Sequence, residues 1–559
     1  MAEQLLSADA MYRAVHSDPQ FACPRRPALV QGLVRLDLPD GILFEGGPSR
    51  QILRGAATKD LVPAVLPLLD GTLDADGIAT RSGLPRPHVD RVIALLYTCG
   101  LLEEGEQAAA VGDPNAALFW SRSLDSSRAN RSTSEVLRRL DTARVGVSGS
   151  GLLADLVLAD LQANGIGAKA VSDSTPEPDY DLVVGVSDHA NADLRHMADA
   201  CAAHHVPFLP LRLSGRGVEV GPYLDPAFTA SFADYDRQRR ADPIKDDAGE
   251  LSFPVRAKLA AALGSGQIVG LLARIGTVPV LRGLLRVDLV DWSHRIHVIS
   301  PIPDSVGPQV RTTTAGVPLA VCYESSVAFT PRHLLNPKAH QVHYKPGNLA
   351  LQHESKRWPS APLLDLAPWA SVPPGPLRRS SAAKNDGDIA LPAIAAVLQR
   401  AAGLRPGPSF EQKVQRWAPT GGNLGSVQLH LLAHRVEGLT PGVWGYVGDQ
   451  HALARLRDQD DLSALGHRSG EPAAAIVLTA ALARVASKYL GFAWRVVHLD
   501  AGAAIAQLAY TARAFGLAAH PLPRWDDQCI ADLLDLDLDS EPVTGVVLLG
   551  SASEGEQQR

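Results

Sequence analysis

Cysteine is scarce in this sequence and never paired. The 559 residues include five cysteines, and no two of them form a CxxC motif: Cys23, Cys99, Cys201, Cys322 and Cys529. An odd, scattered set excludes both a disulfide framework and a zinc ribbon. It fits a protein kept in a reducing compartment such as the cytoplasm.

Long apolar runs and an excess of basic charge are also missing. No stretch reaches the roughly 18 apolar residues of a membrane span, and the first residues lack the basic and apolar regions of a signal peptide. The chain has 53 Lys and Arg against 60 Asp and Glu, a formal net charge of −7. Nucleic-acid binders usually carry a basic face. We therefore expect a cytoplasmic protein with no membrane and no nucleic-acid partner.

What is present is enough chain for three or four domains at roughly 100–200 residues each. Residues 20–106 form the first predicted domain. Two apolar runs between Leu29 and Glu45 flank Asp40-Gly41, which is a hairpin signal. Helical patterns follow near 58–69, 73–82 and 87–99, and this composition is winged-helix-like.

Residues 107–142 are rich in Ala, Ser and Arg and are predicted to be a linker with a helix at its end. Residues 143–310 alternate strand and helix patterns, which predicts an α/β domain with a parallel sheet. The turn Gly149–Ala154 reads GSGLLA after a strand, and Asp173 follows about 20 residues on, where a nucleotide-binding domain places its ribose contact.

Residues 311–375 show no clean period and are predicted to be an irregular connecting arm. Four histidines lie there, at spacings of 7, 3 and 10: His333, His340, His343 and His353. These spacings match no zinc pattern, so no metal site is expected.

The last predicted domain, residues 376–559, carries three segments of chemical interest. The first is a guanidinium pair beside a hydroxyl, suited to clamping a phosphate: Arg378, Arg379 and Ser380. The second is a glycine-rich turn before a strand: Pro419, Thr420, Gly421, Gly422 and Asn423. The third places Lys488 and Tyr489 before a predicted strand at 495–500, a helix at 501–516 and the Gly516-Leu517 turn.

Together these segments resemble the nitroreductase-like flavin oxidoreductases, in particular the SagB-type azoline dehydrogenases of thiazole/oxazole-modified peptide biosynthesis. The resemblance implies an α+β chain ending in an FMN-binding fold that works as a homodimer. Arg378, Arg379 and Ser380 would then hold the FMN phosphate. Gly421, Gly422 and Asn423, at the end of the Pro419-Thr420-Gly421-Gly422 turn and directly after it, would line the flavin ring. Gly516 and Leu517 would lie near the edge of the ring.

Lys488 and Tyr489 match the family's catalytic Lys-Tyr pair. Oxidising a thiazoline removes the ring Cα proton and a hydride from Cβ, so a base must reach the proton. A lysine in an apolar site has a lowered pKa that suits this task. Only 10 of the 53 basic residues are lysines, which makes this one conspicuous.

The first two domains resemble other parts of the same pathways. Residues 20–106 resemble the peptide-clamp domain (RiPP recognition element), which binds a leader peptide by strand addition. Residues 143–310 resemble a degenerate, non-catalytic ThiF-like (Rossmann-type) domain, since the paired CxxC zinc motifs of active members are missing. The implied partners are a precursor peptide, with its leader and azoline-bearing core, and a YcaO-type cyclodehydratase.

Two departures keep other functions open. The family's RRSxRxF start reads RRSSAAKND here, so the expected phosphate clamp is either weaker or uses Lys384, and the family's Gly-His is Gly502-Ala503. The alternatives are an NAD(P)H-dependent nitro or quinone reductase and a catalytically inactive, peptide-presenting scaffold. A DNA-reading role for the first domain is disfavoured because helix 87–99 offers only Arg91, opposed by Asp90.

Overall fold

The computed structural model describes residues 8–17, 21–105, 114–171, 179–188, 194–243, 251–303, 311–335, 350–367, 388–405, 414–458 and 472–551. The chain divides into two compact units, and the division falls between the described segments 311–335 and 350–367. Each unit has hydrophobic clusters of its own.

The first unit begins with a helix, Ala8–Ser17, and a three-stranded antiparallel sheet. The strands of this sheet are Val34–Leu38, Gly41–Glu45 and Gln51–Arg54. The helical segments that follow are Ala56–Thr58, Leu61–Val65, Leu66–Leu68, Ala75–Ser82 and Arg86–Thr98. The hairpin and the three helical patterns expected from the sequence are thus present, with Ile42 and Phe44 packed against Val89 and Leu96 in one cluster.

The predicted linker differs from the observed structure. Its described part holds two helices, Pro114–Ser123 and Thr133–Thr142, rather than one at the end. Buried Glu103 accepts hydrogen bonds from the Thr133 backbone N–H and hydroxyl, at 2.8 and 2.7 Å. This carboxylate ties the second helix to the strand Leu102–Glu104, which pairs with Pro27–Leu29, so a polar contact orders a segment with a linker-like composition.

A seven-stranded mixed sheet forms the rest of the first unit. Four of its strands are parallel and run in the spatial order Gly167–Val171, Arg144–Ser148, Leu182–Ser187 and Phe208–Ser214. Three antiparallel strands extend it: Gly217–Val220, Leu284–Asp288 and His294–His297. The helices of this part are Leu152–Ala163, Arg195–Ala203, Phe232–Ala241, Phe253–Ala273 and Leu319–Val327. The βα alternation predicted a parallel sheet, and it holds for the first four strands.

The second unit is a seven-stranded sheet packed against helices. In spatial order its strands are Leu363–Asp365, Ala452–Arg457, Gly442–Val447, Val427–Ala433, Ala474–Ala480, Val543–Ser551 and Leu517–Pro521, and all neighbours are antiparallel. A short parallel pair joins Ile389–Ala390 to Val436–Glu437. The helices are Leu351–His353 (3-10), Leu391–Ala402, Gly421–Asn423 (3-10), Leu482–Tyr489, Leu490–Phe492 (3-10), Ala493–Ala514 and Asp527–Leu534. No helix among the described residues is both long and apolar enough to cross a bilayer.

One expectation for this unit is wrong. The segment 495–500, predicted as a strand, belongs to the helix Ala493–Ala514, which we call the long helix. The Val496-Val497 pair favours a strand locally. Burial at Ala493, Val497 and Ala504 nevertheless follows helical spacing, and packing against the sheet overrides the local preference.

A buried histidine makes this unit sensitive to acid. His430, in the central strand Val427–Ala433, is fully buried, and neither ring nitrogen has a hydrogen-bond partner among the described residues. Burial, with the nearby Lys356 charge, lowers the pKa of His430 to about 3. The folded protein therefore holds this ring neutral where the unfolded chain takes up a proton.

We expect the stability that His430 contributes to be complete above pH 6.5 and to fall as the pH drops from 6.5 toward 3. The slope should approach about 1.4 kcal/mol per pH unit from this one group. Urea unfolding between pH 7.5 and 5 should show a smaller acid loss in His430→Leu than in the wild type. His520→Leu, which changes an exposed histidine, is the control. Equal acid losses in all three proteins would contradict this assignment.

Candidate active site

A tight turn, residues 419–425, leads into the central strand of the second unit. Its middle is the 3-10 segment Gly421–Asn423, with Gly422 at φ +60° and Asn423 also at φ +60°. Glycine adopts this left-handed region at no steric cost. Inside the turn, the Gly425 N–H donates to the Thr420 hydroxyl at 3.0 Å. We call this segment the glycine-rich turn.

Lys488 and Tyr489 lie in the last turn of the helix Leu482–Tyr489. The residue after the helix, Leu490, has a φ of +51°, which is an uncommon value for any residue other than glycine. The long helix begins three residues later, at Ala493. The Lys-Tyr pair therefore occupies the junction of two helices.

The two side chains converge on Gly422. A Cβ atom added at Gly422 would overlap Lys488 Nζ and would stand 2.8 Å from Tyr489 Oη. Lys488 Nζ lies 5.1 Å from the centre of the Tyr489 ring. The ammonium and the phenol thus share one small space over the bare backbone of the turn, and only glycine at position 422 leaves that space open.

Burial changes the acid–base properties of the pair. Both side chains are partly buried. Burial lowers the pKa of Lys488 below its ordinary value of 10.5, which raises the fraction of neutral amine near neutral pH. Burial, and secondly the Asp500 charge, raises the pKa of Tyr489 above 10.0, so the phenol stays protonated. The site therefore offers a candidate base beside a hydrogen-bond donor.

Asp500, on the long helix, holds the glycine-rich turn through two hydrogen bonds. Its Oδ1 accepts a hydrogen bond from the Gly421 N–H at 2.8 Å, and its Oδ2 accepts one from the Ser426 hydroxyl at 2.5 Å. The carboxyl is only 5% exposed. Burial raises the pKa of Asp500 above its ordinary value, although both hydrogen bonds act in the opposite direction. One acidic group thus joins the helix, the turn and the start of the strand.

Gln352 holds the turn from another side. Its Nε2 lies 3.4 Å from the Gly422 carbonyl oxygen, to which it donates, and its Oε1 accepts from Asn423 Nδ2 at 3.0 Å. Asn423 Nδ2 also donates to the Val414 carbonyl at 2.7 Å. The Asn423 amide is therefore engaged in holding the turn, which is a different use from the predicted contact with a flavin ring.

Two partly buried arginines hold the surrounding backbone. Arg416 donates to the Gln352 carbonyl at 2.6 Å and to the Asn423 carbonyl at 3.3 Å. Arg484 donates to the Leu424 and Gly425 carbonyls at 3.0 and 3.1 Å. Burial lowers the pKa of Arg416 to about 10. Each guanidinium uses several donors at once, so it can fix a loop that has few side chains of its own.

The structure brings together most, though not all, of the predicted site residues. Gathered around the glycine-rich turn are Lys488, Tyr489, Pro419, Thr420, Gly421, Gly422 and Asn423. Gly516 and Leu517 follow the far end of the long helix, 16 residues beyond Asp500, which is about 24 Å at 1.5 Å per residue. Arg378, Arg379, Ser380 and Lys384 lie outside the described residues, as do Asp173, His340 and His343.

Sequence reasoning missed four residues of this site. Asp500 is predicted as the end of a strand, and the signal that could have found it is its position as the only carboxylate of the long helix. Gln352 lies in the segment predicted as an irregular arm, Arg416 precedes the turn, and Arg484 lies in the helix Leu482–Tyr489. The roles of these three depend on contacts between distant parts of the chain, which a local pattern does not record.

Comparison with known proteins identifies the class of this region. Residues 378–551 match the family described as the Nitroreductase family. The C-terminal part of the chain therefore has a nitroreductase fold, and the match indicates an oxidoreductase. Members of this family typically bind a flavin, FMN. No curated protein shows significant similarity to the chain.

Solved structures show more distant likeness. A heterocyclase in complex with substrate and cofactor has 15% identity and a TM-score of 0.38, over 49% of this chain and 38% of that one. MccB of E. coli has 12% identity and a TM-score of 0.39, over 51% of this chain and 98% of that one. A provisionally assigned nitroreductase of Anabaena variabilis has 18% identity and a TM-score of 0.33, over 48% and 54%.

A single methyl group at Gly422 should disable the site. We expect Gly422→Ala to displace the Lys488 amine, because the new Cβ would occupy its position, and to raise the pKa of that amine toward 10.5 as it moves into water. The pKa can be read by NMR after ¹³C-methylation of the ten lysines, with Lys488→Met assigning the resonance.

Gly438→Ala is the matched control for this substitution. Gly438 has a φ of +82°, and its nearest neighbouring atom would lie 3.9 Å from an added Cβ. An alanine at position 438 therefore strains the backbone as one at position 422 does, but it overlaps no neighbouring side chain. Both variants should lose about 1 kcal/mol of stability from the backbone alone. An unchanged Lys488 resonance in folded Gly422→Ala would show that the amine does not depend on this space.

Proposed function

We propose that this protein is an FMN-dependent dehydrogenase that oxidises thiazoline or oxazoline rings in a ribosomally made peptide to thiazole or oxazole. The observation that carries the proposal is the convergence of Lys488 and Tyr489 on Gly422, within a region that matches the Nitroreductase family. A partly buried amine beside a protonated phenol suits removal of an acidic C–H proton.

The chain's own residues supply the proton transfer. Lys488 in its neutral form accepts the ring Cα proton, and burial favours that form. Tyr489 keeps its proton and orients the amine or the substrate through a hydrogen bond. FMN bound at this site would supply the hydride acceptor for Cβ, with O₂ as the final electron acceptor. Aromatisation of the ring makes this oxidation downhill.

The residues present fit a flat, partly anionic group such as FMN. The turn lacks side chains at Gly421 and Gly422: a Cβ at Gly421 would overlap Val496 of the long helix, and a Cβ at Gly422 would overlap Lys488 Nζ. The two glycines therefore let the turn lie close to the long helix and to the Lys488 amine, and bare backbone beside an amine suits such a group. Arg378, Arg379 and Ser380 remain the proposed phosphate contacts, and Gly516 and Leu517 remain proposed contacts near the ring edge.

Lys488→Met should lower the rate of azoline oxidation by at least about 100-fold, the range of a lost general base, and Tyr489→Phe should have a smaller effect. In the wild type, kcat/KM should rise with pH through the pKa of Lys488, at a value below 10.5, since the neutral amine is the active form. Loss of two hydrogens per ring, read by mass spectrometry on a thiazoline peptide with and without its leader, is the measurement. Lys258→Met, at an exposed lysine of the first unit, is the control.

Other outcomes would point to the alternatives. A protein that shows no flavin absorption and cannot be reconstituted with FMN would overturn the dehydrogenase and favour a peptide-presenting scaffold. Flavin reduction by NADPH with turnover of nitro or quinone compounds, and none of azolines, would favour the reductase. Full azoline activity in Lys488→Met would show that Lys488 is not the general base.

We also propose that the second unit forms a homodimer through the long helix. Its outer face carries large exposed apolar side chains: Trp494 at 43%, Leu499 at 65% and Tyr510 at 53% exposure. Small residues lie between them, at Gly502 and Ala506. Antiparallel pairing about a twofold axis would bring Gly516 and Leu517 of one chain toward the Lys488 end of the other. This arrangement accounts for predicted site residues that lie about 24 Å apart in one chain.

Leu499→Glu should convert the dimer to monomer, because it places a charge on a face that the dimer would bury. Light scattering after size-exclusion chromatography at several concentrations is the measurement. Leu363→Glu, at a leucine 51% exposed in the same unit, is the control and should leave the mass unchanged. A wild-type monomer at micromolar concentration would contradict this proposal.

For the first unit we propose recognition of the precursor peptide. Support comes from the antiparallel sheet 34–54, in which Val34–Leu38 is an edge strand and Val34 and Leu36 are about half exposed, at 54% and 49%. An edge with free backbone groups and apolar side chains is suited to addition of a peptide strand. The ThiF-like domain would serve as a non-catalytic scaffold, and a YcaO-type cyclodehydratase would deliver the azoline peptide.

A further inference from the structure

Gln352 lies outside the region that matches the Nitroreductase family, which begins at residue 378. It nevertheless reaches the glycine-rich turn, and it is 6% exposed. The segment that carries it, residues 350–367, runs along the second unit and is called the strap here. The strap supplies a residue to the site that the family-matched region by itself does not contain.

The strap is attached along its length by different kinds of contact. Its strand Leu363–Asp365 pairs with Ala452–Ala454 at the edge of the sheet. The Trp358 ring fills the notch over Gly445, where a Cβ would overlap it. The Lys356 ammonium lies 2.7 Å from both carboxylate oxygens of Glu541. These contacts fix the strap at some distance from the glycine-rich turn.

Nearer the turn, the strap is held through its backbone. Arg484 donates to the Glu354 carbonyl at 2.8 Å, and Arg416 donates to the Gln352 carbonyl at 2.6 Å. The main chain at Gln352 is therefore fixed before its side chain reaches the turn. A side chain on fixed backbone loses little entropy when it forms its hydrogen bonds, so it can position what it touches.

The Gln352 side chain contacts Gly422, which faces Lys488, and its neighbour Asn423. Its amide N–H donates to the Gly422 carbonyl, and its amide oxygen accepts from the Asn423 side chain. Gly422 is the residue whose Cα defines the space shared by Lys488 Nζ and Tyr489 Oη. A shift of the Gly422 peptide would change the room and the water available to the amine.

We propose that Gln352 is a positioning residue, contributed by the strap, that sets the Gly422 peptide against Lys488 and Tyr489. It acts through the turn rather than on a substrate. The effect of Gln352 on catalysis rests on the proposed function. Its effect on the protonation of Lys488 does not.

The test is the titration of Lys488 in the full chain, followed by ¹³C-methyl-lysine NMR. Gln352→Ala removes both hydrogen bonds, Gln352→Met removes both and keeps the size, and Gln352→Glu keeps the size and the acceptor but loses the donor to the Gly422 carbonyl. All three should increase the protonated-to-neutral ratio of the amine at a given pH by about threefold or more, the first two by letting water reach the amine and the Glu variant also through its negative charge. The Met variant adds no charge, so it keeps the experiment decisive if the Ala variant fails to fold.

Lys356→Met is the matched control, because it loosens the strap at Glu541 without touching the turn. It should lower the melting temperature while leaving the Lys488 titration unchanged. An unchanged Lys488 titration in folded Gln352→Ala or Gln352→Met would overturn the proposal, and so would an equal change in Lys356→Met.

Turnover separates this proposal from the one on which it rests. With an azoline peptide, Gln352→Glu should lower kcat by about tenfold with little change in KM, since the substrate does not contact Gln352. If the wild type oxidises no azoline, the proposed function fails, and the Lys488 titration still decides the role of Gln352.

Discussion

The buried carboxylate of Asp500 is the contact on which the candidate site depends. Its oxygens accept hydrogen bonds from the Gly421 N–H and the Ser426 hydroxyl and so connect the long helix to a turn that has no side chain at Gly421, Gly422 or Gly425. Burying a carboxylate is costly unless hydrogen bonds compensate it. Because each group needs the other, the helix and the turn are fixed relative to one another, and Lys488 and Tyr489 meet Gly422 at a defined place.

The remaining supports of the turn share one design. Gln352, Arg416 and Arg484 all bind backbone carbonyls, which a glycine-rich segment offers in place of side chains. These contacts come from three different parts of the chain. A turn held from several sides can keep the left-handed conformation at Gly422, which places the bare Gly422 backbone against the Lys488 amine and the Tyr489 hydroxyl.

The two units divide the proposed work between them. The second unit combines a nitroreductase fold with a partly buried amine, and the first carries an exposed sheet edge that suits a peptide strand. A small ring offers an active site few contacts. An enzyme that binds another part of the same peptide gains affinity, because the tethered ring is then present at a high local concentration. The proposed dimer would bury the exposed apolar face of the long helix.

The sequence by itself determined the elements that depend on local patterns. Periodicity, turn residues and a family motif predict the hairpin at 34–45, the helical patterns that follow it, the alternation of strand and helix from residue 143, and the Lys488-Tyr489 pair. Only the tertiary structure decided that residues 495–500 are helical, that residues 114–142 pack as helices, and that Gln352, Arg416 and Asp500 meet at one turn. The physical reason is the same in each case. Burial and hydrogen bonds between residues far apart in the chain outweigh local preferences of a few tenths of a kcal/mol, and a one-dimensional pattern carries no record of which distant groups will come into contact.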